Sequence, residues 1–479
     1  MSYQPADRQN VPYQPYQGGY PQQLGGGFAA PPPGPPPRRK TGKIIGFGIL
    51  GVFLLLVIGI GSIFVKNTLN RHDVTPEEEY ATSTKAVCDS MNKAIKAKDE
   101  KAFLASFEGE QLKAQQQKLF RNLIKVPFQV ARFEAYPHGS HDSGEVPVAF
   151  VHQVKGADAA PVAEQYTFTF KYEPGHRQVI SDAKGSVEPY PGTHGTFYPA
   201  PWDVYNDMTV VQKGRVVLIS DKQHAADTER FAPYISQAAD DDVAAWKRSG
   251  ADSSKVSKGA LIVLEPNRKV YTQFYRVGAK DDSLEAGVNM PIDKFTFGVG
   301  EESKEAGGSR IVMDSSLSRF TSPSWKEGVK EISRHEIAHA MVAVYDQARV
   351  LVEVDSWVSE GFAGYMESRD NPAAAKVEAA RTLKGYEFNP SVYPVDDAET
   401  FYAKTARERS ANYTLARLAI EYMAKKYGEK NAFEFVIAEY VAPTKSEESF
   451  RKYLGVDRQT FMEGWQKYVS NQVPGMSQG

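Results

Sequence analysis

The 479-residue chain reads as an α+β protein carried behind one apolar segment. Three observations lead there. Residues 44–65, IIGFGILGVFLLLVIGIGSIFV, run 22 residues without a charge. Residues 75–195 place helical periodicity first and strand-like alternation after it. Residues 200–479 place a few strands first and a nearly unbroken helical pattern from about 326 onward. Runs of helices followed by runs of strands, rather than strict alternation, indicate α+β layers.

Residues 1–37 are rich in Pro, Gly, Gln and Tyr, as in QPYQGGYPQQ and PPPGPPP. Such a segment has too little apolar surface to fold and favours extended polyproline II, so residues 1–43 are expected to be a disordered tail. At ~1.5 Å rise per residue, a helix over 44–65 spans ~33 Å, enough for the ~30 Å hydrocarbon core of a bilayer. A cleaved signal peptide fits less well, because its apolar region is ~7–15 residues long and a small-residue cleavage site follows it. Arg38, Arg39, Lys40 and Lys43 precede the span, whereas Lys66 and Arg71 follow it. That bias predicts a single-pass protein of the cell membrane, with the N-terminus cytoplasmic and the C-terminal domains extracellular.

The tail to residue 43 carries five basic groups and one acidic group, and the remainder is net −6. An acidic body offers no electrostatic footprint for nucleic acid. Cys88 is the only cysteine. No intramolecular disulfide is available, and Cys88 reads as a small core hydrophobe on a helix.

Outside the membrane the periodic segments break near residues 190–200, where PYPGTHGTFYPAPW brings Pro and Gly together. In the first part, Thr75, Pro76 and Glu78 form a T-x-x-E start to a helix. Val87, Met91, Ala94 and Ile95 then share one face of it. A second helical stretch covers Phe103–Leu123, and four strand-like runs follow: VPFQVARFEA, EVPVAFVHQV, EQYTFTFKY and RQVISDA. The second part opens with a strand (MTVVQKGRVVLIS), a long helix (ERFAPYISQAADDDVAAWKR) and a strand (GALIVLE), with a further strand SRIVMD at 309–314.

The chemistry is concentrated in His335-Glu336-Ile337-Ala338-His339. On a helix, His335 and His339 lie one turn apart on one face, where both imidazoles can chelate a single zinc. Glu336 sits beside them as a general base for the metal-activated water and a proton donor to the leaving amine. A helix with two surface histidines would carry the same letters. Here the flanks EIS and AMVAVY make the helix apolar around most of its circumference. Buried histidines and a buried glutamate are costly unless something satisfies them. His72, His138, His141, His152, His176, His194 and His224 show no ligand spacing, and His138 and His141 fall in a polar loop.

Downstream stands Trp357-Val358-Ser359-Glu360-Gly361-Phe362-Ala363-Gly364-Tyr365. HExxH followed by W-x-x-E-G-F-A-x-Y resembles the gluzincin metallopeptidases, most closely the M1-like pattern of the MA superfamily. The resemblance is strong over 330–370 and weaker over 200–470. It implies a thermolysin-like metallopeptidase domain at 200–479, with Glu360 as the third zinc ligand; Glu353 and Asp355 are nearby rivals. The first part, 75–195, is similar in element order to NTF2-like domains, which implies a ligand-binding cone or a spacer. The tail and anchor resemble those of single-span bacterial membrane proteins.

Glu367, seven residues after Glu360, lies on the same helix face and can orient a ligand histidine. The resemblance further implies that Tyr413, at the start of a helix YTLARLAIEYMAKKYG, donates to the oxyanion, with Tyr402 as its rival. It also implies that SRIVMD is the edge strand on which a peptide docks. The spacing between His339 and Glu360 exceeds the usual M1 spacing by two residues, which a loop absorbs. No G-x-M-E-N segment precedes the motif, so aminopeptidase specificity does not carry over. The expected function is a zinc metallopeptidase, an endopeptidase, acting on peptide or protein. The alternative is a cell-envelope binding or scaffold protein that keeps the fold without turnover.

Overall fold

The computed structural model describes residues 76–135, 145–171, 178–185, 199–275, 285–296, 305–346, 354–388, 401–402, 405–473 and 477–478. The tail at 1–43, the apolar segment at 44–65, Thr75 and most of the 190–200 break lie outside the described residues. So do His72, His138, His141, His176, His194 and Glu353. Among the described residues no helix is long and apolar enough to cross a membrane. Residues 74–479 form one compact unit, and its described elements are mixed α+β around two main sheets.

Helix α1 (Pro76–Ala97) buries Val87, Cys88, Met91, Ala94 and Ile95, the face set by its 3.6-residue period. The stretch read as one helix is two, α2 (Glu100–Leu104) and α3 (Glu110–Leu123). The chain opens between them because Ser106 and Glu108 exchange backbone hydrogen bonds with Ile180 instead of with a helical turn. Strands β1 (Phe128–Ala135), β2 (Glu145–Val154), β3 (Val162–Lys171) and β4 (Val179–Lys184) follow as an antiparallel meander in sequence order.

The interior of this layer is filled by the chain itself. The short helix Pro201–Val204 inserts Trp202, whose ring lies edge-on to Phe128 at 5.5 Å, Phe150 at 6.0 Å and His152 at 5.1 Å. His152, set aside as a ligand on spacing, is fully buried and bonded to Glu164 across β2 and β3 at 2.7 Å. Asn122 pins the connection: its amide donates to the carbonyls of Trp202 and Tyr205 at 3.2 and 2.8 Å, and its oxygen accepts from the Met208 amide at 3.1 Å.

The run 208–220 is a hairpin rather than one strand. β5 (Met208–Lys213) and β6 (Val216–Asp221) turn at Gly214 and Arg215. Helix α4 (Ala225–Ser249), strand β7 (Ala260–Glu265), helix α5 (Arg268–Tyr275), β8 (Gly287–Asp293) and β9 (Ala306–Asp314) complete the layer. The sheet order is β5-β6-β7-β9-β8; β6, β7 and β9 are parallel, and β5 and β8 are antiparallel edges. Alternation divides the side chains between two cores. Val217, Ile219, Leu261, Val263 and Val312 meet the first part, whereas Val216, Leu218, Ile262, Leu264, Ile311 and Met313 meet the helices on the other face. Burial on both faces is why β6 and β7 read as near-continuous apolar runs.

The helical face comprises α6 (Trp325–Val342), α7 (Ser356–Ser368), α8 (Pro372–Thr382), α9 (Ala406–Tyr427), α10 (Glu429–Val441) and α11 (Arg458–Gln472). Trp246 of α4, Phe362 of α7 and Phe433 of α10 tie them together, with ring centroids 5.0–5.8 Å apart.

The four-stranded layer is joined to the sheet by a buried ion pair. Arg310 on β9 donates from Nη1 to Asp158 Oδ1 at 2.5 Å and from Nη2 to Oδ2 at 3.1 Å, and Oδ2 also accepts from the Val154 amide at 2.7 Å. Removing one partner of such a pair leaves an uncompensated buried charge, whereas replacing both with apolar groups does not. Asp158→Ala is therefore expected to lose about 3–5 kcal/mol in urea unfolding, and Asp158→Leu with Arg310→Met to recover most of that loss. Equal losses in the two would mean that the charges are not what holds the layers.

Candidate metal centre

Helix α6 carries the central motif. Val329, Ile332, Ile337, Ala338 and Met341 pack it into the helical core. Arg334, one residue before His335, donates to Asp242 on α4 at 3.0 Å and to Asp370, just beyond α7, at 2.8 Å. Burial pushes the Asp242 carboxyl up to about 8, against the pull of the Arg334 charge. These bonds set the rotation of α6, which turns His335 and His339 to one side with their Nε2 atoms 3.3 Å apart.

Glu360 comes from α7. Its Oε2 lies 3.2 Å from His335 Nε2 and 3.5 Å from His339 Nε2. Among the described residues, His335, His339 and Glu360 form the group able to hold a metal ion. The spacing can be compared with a real coordination shell. Four N or O ligands at ~2.0–2.1 Å in a tetrahedron stand ~3.3–3.4 Å from one another. The three donor atoms here, at 3.2, 3.3 and 3.5 Å, meet that spacing, and two imidazoles with one carboxylate are a donor set suited to a borderline divalent cation.

Glycine makes the approach of α7 possible. A Cβ on Gly361 would stand 2.6 Å from the Ala416 carbonyl oxygen of α9. Only the missing side chain lets these helices pack so closely, and the packing seats Glu360 beside the histidines.

Glu367, two turns along α7, lies 3.1 Å from His335 Nδ1 through Oε2, and its Oε1 accepts from Arg319 Nη1 at 2.9 Å. A proton on Nδ1 fits this contact and would leave the Nε2 lone pair for a metal; with none bound, the carboxylates at both nitrogens favour the doubly protonated ring. Burial would raise the Glu367 carboxyl, but the Arg319 charge and the His335 bond hold it at about 2. Burial opposes a charged His335 as well, yet its bonds to Glu360 and Glu367 hold the imidazole well above its ordinary range. Burial likewise works against ionised Glu360, and the two histidines overcome it, leaving the carboxyl well below the usual carboxylate range.

Glu336 is almost fully buried, and burial raises its carboxyl while the histidine charges oppose the rise. It faces β8. A Cβ on Gly287 would meet its Oε1 at 2.6 Å, its Cδ at 2.8 Å and its Cγ at 2.9 Å.

Tyr413 and Tyr402 both reach the site. The Tyr413 ring is 6.5 Å from the His335 ring, and its hydroxyl has no hydrogen-bond partner among the described residues. Tyr402 donates to Glu360 Oε1 at 2.8 Å. Asp355 precedes α7 and takes the Trp357 indole proton at 3.3 Å, outside the cluster.

Two expectations need correction. Tyr413 does not begin its helix, because α9 starts at Ala406. The Thr405 hydroxyl accepts from the Glu408 amide at 3.2 Å and donates to its carboxylate at 2.7 Å, an N-cap in a polar stretch with no apolar period. The run 309–314 is not an edge either. It lies in β9, between β7 and β8, as its burial on both faces requires. The edge beside it is β8. The Asp314 amide donates to the Ala286 carbonyl at 2.9 Å. By antiparallel alternation, Gly287, Asn289 and Pro291 then turn their backbone groups outward, where proline has no donor to lose.

Gly287, Arg319 and Glu285 went unnoticed in the sequence. Glu285 starts this edge, accepts from the Tyr271 hydroxyl at 2.6 Å, and its charge bears on both Tyr402 and Tyr413. None of the three has a local signal, since each acts through contacts distant in the chain.

The two glycines respond differently to a methyl group. At Gly361 it meets the fixed backbone of α9; at Gly287 it meets a single side chain, Glu336, from Oε1 back to Cγ. Gly361→Ala is expected to cost about 1–3 kcal/mol in thermal unfolding. Gly287→Ala should leave the melting temperature nearly unchanged and, in a crystal structure, turn Glu336 out of its slot. A larger loss at Gly287 than at Gly361 would reverse this account. No protein-family model matches the chain, and no curated protein matches it.

Proposed function

We propose that the chain is a membrane-anchored zinc metallopeptidase, of gluzincin type, that works outside the cell membrane. The observation that carries this reading is the tetrahedral spacing of His335 Nε2, His339 Nε2 and Glu360 Oε2. A zinc ion bound there would supply Lewis acidity and a water molecule made nucleophilic near neutral pH.

The residues divide the remaining work. His335 and His339 present ring nitrogens, and Glu367 fixes the orientation of the first. Glu336, lodged between α6 and β8, accepts the proton of the attacking water and returns it to the leaving amine. A carboxyl raised by burial suits a group that must both take and release a proton. The Tyr413 hydroxyl, with no hydrogen-bond partner among the described residues, donates to the oxygen on which negative charge develops, a role worth about 3–4 kcal/mol in comparable sites. The peptide lies along the outward groups of Gly287 and Asn289, extending the sheet.

A thermolysin-like arrangement for 200–479 is supported by the sheet, the edge strand and the α6–α7 pair. An NTF2-like arrangement for 75–195 is supported by three helices followed by a four-stranded meander. Trp202 filling that layer favours a spacer over a ligand-binding cone. The absence of G-x-M-E-N favours an endopeptidase. The segment 44–65 and its basic flank support the anchor and its orientation.

The test uses the full chain. Wild type and Glu336→Gln are each expected to hold about one zinc. Cleavage of a quenched-fluorescence peptide library should fall about 10²–10⁴-fold in the variant, the usual contribution of a general base. A wild type without zinc sinks the reading, and equal cleavage by both removes Glu336 from its role. Zinc without cleavage by the wild type would leave a binding or scaffold function.

A further inference from the structure

Tyr402 is held by two contacts that have nothing to do with its own hydroxyl. The preceding Phe401 is buried, with its ring 5.3 Å from that of Tyr413. The Phe401 carbonyl accepts from Asn412 Nδ2 at 2.8 Å, and Asn412 is itself buried on α9. The chain therefore leaves this anchor in a set direction. Tyr402 is 45% exposed as a residue, yet its hydroxyl turns inward to Glu360.

The bond falls on one particular oxygen. Glu360 Oε2 faces both histidines, at 3.2 and 3.5 Å, whereas Oε1 takes the Tyr402 proton at 2.8 Å. A carboxylate with no such donor rotates about its last bond and can offer a cation either oxygen, or both. A hydroxyl on Oε1 stops that rotation and leaves one oxygen for the metal.

We propose that Tyr402 is a positioning residue: it holds Glu360 in one-oxygen ligation and thereby sets the affinity and coordination number of the metal. The two tyrosines then have separate tasks. The Tyr402 hydroxyl is committed to the ligand, and the Tyr413 hydroxyl remains for the reacting group. This rests on the metal centre of the preceding reading, and it makes Tyr402 part of that centre rather than a second oxyanion donor.

The experiment measures zinc affinity of the full chain by competition with a chelator, for wild type, Tyr402→Phe and Tyr413→Phe. Phenylalanine keeps each ring, so melting temperatures without metal should agree closely. Tyr402→Phe is expected to weaken zinc about 10–100-fold, the range for partners of metal ligands, and Tyr413→Phe to leave it within about twofold. With cobalt(II) in place of zinc, Tyr402→Phe should also lose visible absorbance, because a second Glu360 oxygen raises the coordination number and higher-coordinate cobalt absorbs weakly.

Unchanged zinc affinity in Tyr402→Phe overturns the proposal alone. Equal weakening by both variants also overturns it, since the aromatic cluster and not this bond would then matter. A wild type that binds no zinc overturns the metal centre itself, a different result.

Discussion

Three donor atoms on two helices can stand within about 3.4 Å of one another, the separation a tetrahedral shell imposes, only if the helices are locked in place. Here the lock is the contact between Gly361 of α7 and the backbone of Ala416 on α9. A side chain on Gly361 would force α7 away from α9 and displace Glu360. The same contact brings α9 alongside the site. From α9, Tyr413 reaches the cluster directly, and Asn412 holds the carbonyl of Phe401 so that Tyr402 reaches Glu360.

A close-packed site of this kind concentrates charge where water is scarce, and each ionised group there needs a partner. His335 has one on each ring nitrogen. Glu367 has His335 and Arg319, and Arg334 has Asp242 and Asp370. These bonds tie α6 to α4, to α7 and to the short helix at Ser318–Thr321. The groups that tune the motif are therefore also those that orient its helix. Glu336 is the exception. Its slot is steric, shaped by a glycine on β8, and among the described residues no hydrogen bond restrains it. In the proposed reaction Glu336 gains and loses a proton, which a strong fixed partner would hinder.

The five-stranded sheet separates the two halves of the molecule. The metal-centre helices lie on one face and the four-stranded layer on the other, joined through Asp158 and Arg310. The first layer thus supports the back of the sheet that carries β8. Edge strand β8 shows the usual marks of an edge, a proline and small or polar residues with outward backbone groups, and it is the strand that adjoins Glu336.

The sequence by itself determined the α+β character, from the order of helical and strand-like runs, and the buried face of α1 and the pairing of His335 with His339, from the local period of 3.6 residues. It also put Glu360 and Glu367 on one face of one helix, by the same arithmetic. Only the tertiary structure decided which strand is the edge, since 309–314 and 287–293 are ordered by sheet topology, and the run with the stronger strand signal is the interior one of the two. The start of α9 was hidden because an N-cap with polar surroundings has no apolar period to announce it. Tertiary packing likewise decided the division between Tyr402 and Tyr413: both lie well downstream of the motif in the chain, and which hydroxyl meets Glu360 depends on a buried asparagine and a close helix contact that no local pattern encodes.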